Sequence, residues 1–226
     1  MTIDNIDISL YNATLFGYDV ETTEIKNNYF VFKDSPYFTF YNSDKALKKI
    51  SIRMLVEGVA EETTDINISN IIKLCKEQSV IKFNATDLLS YDCVYNSNSI
   101  KKITPFCKEL TIEVDGFAHK DIVSKTLTGL DKVVNNTGTC KVPCIIEVAN
   151  NTASAINNVV VAGITITSIA ANKTIIIDGI EKIVTVDDVN KLLDTDLTQF
   201  PMLEIGSNTI DFTAGTVTVK YYPTFI

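Results

Sequence analysis

Apolar and polar residues alternate along much of this chain. Leu110, Ile112 and Val114 fall on one side of an extended segment while Thr111, Glu113 and Asp115 fall on the other. That period of two is expected of a strand with one buried face. The same alternation runs through residues 49–57, where Ile50, Ile52, Met54 and Val56 interleave with polar positions and Leu55 is the one apolar intruder. It recurs with Ile164 and Ile166 against Thr165 and Thr167, and with Val217, Val219 and Tyr221 against Thr216, Thr218 and Lys220. Breaks bearing Gly or Asn separate the runs, among them Asn135-Asn136-Thr137-Gly138, Asp178-Gly179, Gly206-Ser207-Asn208 and Ala214-Gly215. Many short strands punctuated in this way predict antiparallel sandwiches or barrels, and a mainly β protein.

A helical period stands out once. Ile68, Ile71, Ile72 and Cys75 recur at i, i+3, i+4 and i+7, which predicts a helix capped by Asp65. A shorter helix is predicted after Asp187, where Val189, Leu192 and Leu193 share a face. Composition changes near residue 120. The aromatic residues Tyr29, Phe30, Phe32, Tyr37, Phe38, Phe40 and Tyr41 and the strong helix precede it, and Val, Ile, Thr and Asn dominate after it. The polar stretch 119–136 marks a boundary, giving an N-terminal α+β domain over 1–124 and a C-terminal β-sandwich over 125–226. No internal repeat, low-complexity tract or coiled-coil heptad is evident.

Composition narrows the function. With 226 residues and 46% hydrophobic content, the chain can bury a core without disulfides or metals. Its apolar runs fall far short of the about 20 residues that cross a bilayer, so no membrane insertion is expected. The acidic start, Met1-Thr2-Ile3-Asp4-Asn5, lacks the basic and apolar regions of a secretory signal. A net charge of −8 and a single arginine, Arg53, argue against dedicated nucleic-acid recognition. Five widely spread cysteines are an odd number and read as reduced, mostly buried thiols. Cys140 and Cys144 have no second Cys or His pair to complete a zinc site.

Catalytic constellations are missing. His119 is the one histidine and is read as a solvated surface residue. No Gly-x-Ser-x-Gly elbow, phosphate-binding glycine loop or calcium loop occurs, so no catalytic, metal or cofactor site is expected. Carboxylates are plentiful, but Glu61-Glu62 and Asp187-Asp188 read as solvated loop charges or helix-start residues. The residues alone point to a structural or interaction protein.

The last part of the chain goes further. Lys173-Thr174-Ile175-Ile176-Ile177-Asp178-Gly179, then Gln199-Phe200-Pro201-Met202-Leu203, then Ile205-Gly206-Ser207-Asn208-Thr209-Ile210, and the ending Tyr221-Tyr222-Pro223-Thr224-Phe225 resemble the C-terminal domain of phage distal tail proteins. The stretch Gly138 to Ile146 with Pro143 resembles the start of the same domain. Upstream, residues 50–56, the helix from Asp65, and residues 80–83, 91–95 and 110–114 follow the element order of that family's ring-forming domain. The polar stretch 187–198 departs from the pattern, and the first thirty residues match nothing in it.

The resemblance implies a virion structural protein made in the host cytoplasm and placed at the tail tip. It implies an N-terminal ring-forming (belt) domain and a C-terminal galectin-like β-sandwich. The implied partners are five further copies in a homo-hexameric ring, the tail tube protein, and the tail-associated hub, lysin or baseplate proteins. DNA would pass through the channel without specific binding. Strand edges can join copies head to tail, so Tyr29, Phe30, Phe32, Ile50, Ile52, Arg53 and Met54 are expected at or near inter-subunit contacts. The alternatives are a carbohydrate-binding module or adhesin without catalytic activity, and another tail tube or hub subunit.

Overall fold

The structure, a computed structural model, describes residues 1–22, 25–31, 38–45 and 47–226, with side chains for 1–22 and 47–226. Phe32, expected near an inter-subunit contact, lies outside the described residues. Contacts divide the chain into two compact units, Met1–His119 with Ile226, and Lys120–Phe225.

In chain order the first unit comprises β1 (Thr2–Ile3), β2 (Ile6–Asp7), β3 (Ala13–Val20), β4 (Ile25–Val31), β5 (Phe38–Lys45), β6 (Lys48–Glu57), helix α1 (Glu61–Cys75), β7 (Gln78–Lys82), β8 (Ser90–Thr104) and β9 (Cys107–His119). One sheet runs in the order β2-β1-β7-β8-β9-β6-β3, and β4 pairs with β5 apart from it. Register explains the core. Ile50 lies opposite Val114, Ile52 opposite Ile112 and Met54 opposite Leu110. All six side chains therefore point to one face, where Ile68, Ile71 and Cys75 of α1 cover them.

The helix starts earlier than Asp65 suggested. Ala60 holds the capping position without a side-chain bond, and Glu61 and Glu62 fill the first turn, where the helix dipole favours negative charge. Asp65 lies one turn in and accepts from Lys108 Nζ at 2.5 Å. His119 also differs from expectation. It ends β9 at only 9% exposed, next to the buried Ala118, with its ring 6.5 Å from that of Phe117.

The second unit comprises β10 (Val123–Leu127), β11 (Val133–Asn136), β12 (Val142–Ala149), β13 (Ile156–Val161), β14 (Ile164–Ile169), β15 (Thr174–Asp178), β16 (Ile183–Val186), β17 (Val189–Asn190), β18 (Met202–Leu203), β19 (Gly206–Thr209), β20 (Thr216–Tyr221) and β21 (Thr224–Phe225). Its main sheet runs β10-β20-β12-β15-β16-β17, and β11 with β19 and β13 with β14 form two further pairs. One continuous core joins them, from Cys144, Ile146 and Val148 to Ile175, Ile177, Val217 and Val219. A boundary after residue 124 would cut β10, which pairs along its length with β20.

The short helix expected after Asp187 is instead a hairpin. Asp187 and Asp188 take left-handed φ of 48° and 62°, and Val186 pairs with Val189 across them. Two consecutive left-handed residues make the tight turn that suits the twist of an antiparallel pair. Only Leu192–Asp194 coil afterwards, as one 3-10 turn. The chain is mainly β with one α-helix among the described residues, as the alternation implied. No described helix is long and apolar enough to cross a membrane.

Candidate assembly surface

The residues expected at inter-subunit contacts do not share one surface. Tyr29 and Phe30 lie on β4, and their side chains fall outside the described residues. Ile50, Ile52 and Met54 are fully buried in the core of the first unit. β6 pairs with β3 on one side and β9 on the other, so neither of its edges is open to another chain. Arg53 points to the opposite, open face. Its Nη2 donates to Asp19 Oδ2 at 3.4 Å, and its guanidinium lies 5.9 Å from the centre of the Phe16 ring.

The open edges lie elsewhere. β7 meets β8 only from Gln78 opposite Val94 to Ile81 opposite Tyr91. Beyond that point, residues 95–104 of β8 pair with β9 alone among the described residues. The sheet order ends at the two-residue β2 on one side and at β3 on the other, and among the described residues β3 pairs only with β6. Sequence reading missed the outer half of β8 because Asn96-Ser97-Asn98-Ser99 is polar on both faces. A strand with no buried face leaves no alternation to find.

The tip of the β8–β9 hairpin is anchored to the start of α1. Gly58 N donates to Phe106 O at 2.9 Å, and Thr64 Oγ1 donates to the same oxygen at 3.3 Å. Lys102 Nζ donates to Glu61 Oε1 at 2.6 Å, and Lys108 Nζ lies 3.6 Å from it. The Lys102 hydrogen bond holds the Glu61 carboxyl below the usual glutamate range, and the Asp65 hydrogen bond raises Lys108 above the usual lysine range. Ile103 and Phe106 remain about half exposed at this tip, at 52% and 54%.

In the second unit, the positions that carry the family resemblance form structural joints. Gly179 N donates to Cys144 O at 3.0 Å, and Cys144 N donates to Pro201 O at 3.2 Å. The Asp178 carboxylate accepts from the backbone of Ile180 and Glu181. Asn208 closes a turn on Glu204, accepting from its N–H at 2.8 Å and donating to its carbonyl at 2.9 Å. Tyr221 is buried, and its hydroxyl donates to Asn135 O at 2.6 Å.

A shallow cavity of about 310 Å³ lies beside these joints, lined in part by Lys141, Asp196, Gln199 and Phe200. Its polar groups are largely engaged. Asp196 accepts from Thr165 N at 2.6 Å, and Lys141 pairs with Glu204. Among the described residues, no three of His, Cys, Asp and Glu stand together as metal ligands would. Cys75, Cys93 and Cys144 are buried, and desolvation pushes each thiol up to about 12.

No protein-family profile matches the chain, and no curated protein matches it significantly. Solved structures do match. The crystal structure of the Dit protein of phage SPP1, described as a paradigm of the hub adsorption apparatus in phages infecting Gram-positive bacteria, superposes with a TM-score of 0.79 at 11% identity. The match covers 99% of this chain and 98% of that one. The phage P2 baseplate in its activated conformation with Ca matches with a TM-score of 0.56 at 8% identity, covering 95% of this chain and 92% of that one. The same baseplate with Sr gives 0.53 at 7%, with the same coverage. Along nearly its whole length, then, this chain has the fold of the SPP1 Dit protein, and its structural neighbours are phage hub and baseplate proteins.

Proposed function

We propose that the chain is a structural component of a phage or phage-derived tail tip, forming a ring that joins the tail tube to the hub or baseplate and lets DNA pass. The observation that carries this reading is the end-to-end match with SPP1 Dit, which takes in both units rather than one common sandwich. The role is scaffolding and not catalysis. In this reading the first unit forms the ring as a homo-hexamer. The second is a galectin-like sandwich, and the neighbours are the tube protein and the hub, lysin or baseplate proteins.

The physics supports such a subunit. A sheet open along β3 and along the outer half of β8 can be continued by other copies, and a head-to-tail contact closes into a ring when its rotation fits. The net charge of −8 suits a passage through which DNA slides without sticking. Native mass spectrometry of the purified chain and images of assembled particles test the reading. A species of six copies with a central hole supports it. A chain that stays single in solution and is absent from tail tips overturns it.

A further inference from the structure

We infer that copies join through two particular edges in one register: the outer half of β8 in one copy pairs antiparallel with β3 of the next, Lys101 opposite Asp19. This rests on the ring reading above and specifies how that ring is built. Four strands, β8-β9-β6-β3, run from one of these edges to the other, each antiparallel to its neighbour. An even number means that β3 runs opposite to β8. A copy added by rotation about an axis along the strands therefore presents β3 antiparallel to β8, and the up-down order continues across the junction.

Charge separates this pairing from like-with-like contacts. Residues 95–104 carry Lys101 and Lys102 and no carboxylate, whereas residues 13–21 carry Asp19 and Glu21 and no base. Two β8 edges, or two β3 edges, would set like charges side by side, which costs stability across a strand pair. Opposite edges attract. Lys102 is already bound to Glu61 at 2.6 Å, which leaves Lys101 as the cation for the neighbour. Asp19 has one longer contact, 3.4 Å from Arg53 Nη2 through Oδ2 alone, and its carboxylate can accept from a second cation.

The register follows from tilt and faces. Within one copy, Asp19, Ser51, Glu113 and Ser97 stand in one row across the strands. Strands in a closed barrel tilt by about 35–45°. Crossing four strands spaced about 4.8 Å apart then demands a stagger of about 13–19 Å, or about four to six residues at about 3.4 Å each. A stagger of about four residues carries Asp19 from the row of Ser97 to that of Lys101, and an even step keeps each side chain on its own face.

The same step sets Ile100 opposite Val20. Ile100 shares a row with the buried Leu110 and Met54 yet is 49% exposed, and Val20 shares a row with the buried Ile50. The exposed isoleucine thus gains an apolar neighbour on the core side of the sheet.

Directly opposed residues of antiparallel strands lie close enough for a disulfide, so paired cysteines in the full-length chain test the register. Asp19→Cys with Lys101→Cys should give a ladder of linked copies on oxidation, which neither single variant gives. Asp19→Cys with Ser97→Cys, the unstaggered pair, should not. Lys101→Glu alone and Asp19→Lys alone should each raise the concentration needed for assembly about five- to tenfold, and the double swap should restore it. A wild-type ring whose ladder forms through Ser97, or through neither pair, overturns this register and leaves the ring reading intact. So does a ring indifferent to both charge reversals. A wild type that never assembles overturns both.

Discussion

Gly179 is required by its surroundings and not by its backbone angle. Its φ is ordinary, but a Cβ there would stand 2.6 Å from the carbonyl oxygens of both Cys144 and Pro201. Gly206 is the reverse case, with open space around it and φ of +82°. Gly179→Ala should therefore cost about 1–3 kcal/mol or more in chemical denaturation, because two backbones must part. Gly206→Ala should cost about 1 kcal/mol through strain alone. The sequence marks Gly179 as a turn residue, and no local pattern could reveal that Cys144 and Pro201 close on it. The burial of His119 was hidden for the same reason. The buried cysteines were legible, since a lone Cys among apolar residues packs as a small hydrophobe. With thiols at about 12, Cys75, Cys93 and Cys144 should resist iodoacetamide at neutral pH, and Cys107 and Cys140 should label first, as read by mass spectrometry.

Elements with one buried face were readable and elements without one were not. The alternation of β6 and β9 gives their core faces directly, whereas the polar outer half of β8 gave no sign of being a strand. The same alternation that identifies Ile50, Ile52 and Met54 also dedicates them to their own core. Ile52→Ala should thus lower the stability of the first unit by about 2–5 kcal/mol in a urea melt. The hairpin tip makes a different prediction. Glu61 has its pKa lowered by Lys102, so its contribution is present above the unfolded glutamate value and is lost as pH falls through the folded one. Lys108 is raised, so its contribution is present below the ordinary lysine value and fades at alkaline pH. Amide exchange in residues 100–106, corrected for intrinsic rates, should accelerate as pH drops below the glutamate range, and Glu61→Gln should flatten that rise.

At the scale of the whole molecule, order and spacing carried more than any residue. The C-terminal motifs are singly ordinary turns, yet together they describe joints that close one sandwich, which is why their sequence could point to a fold shared at 11% identity. Net charge belongs to this scale as well. A chain at −8 with one arginine should fail to retard duplex DNA in a gel shift at physiological salt, whatever its assembly state. The open margin of β8 has a last consequence. Asn, Ser and Lys bind water as readily as they bind a neighbour, unlike the Val and Ile that seed fibrils from bare strands. On the ring reading proposed above, newly made copies stay dissolved and interchangeable while scarce and commit to one another only once their concentration is high enough.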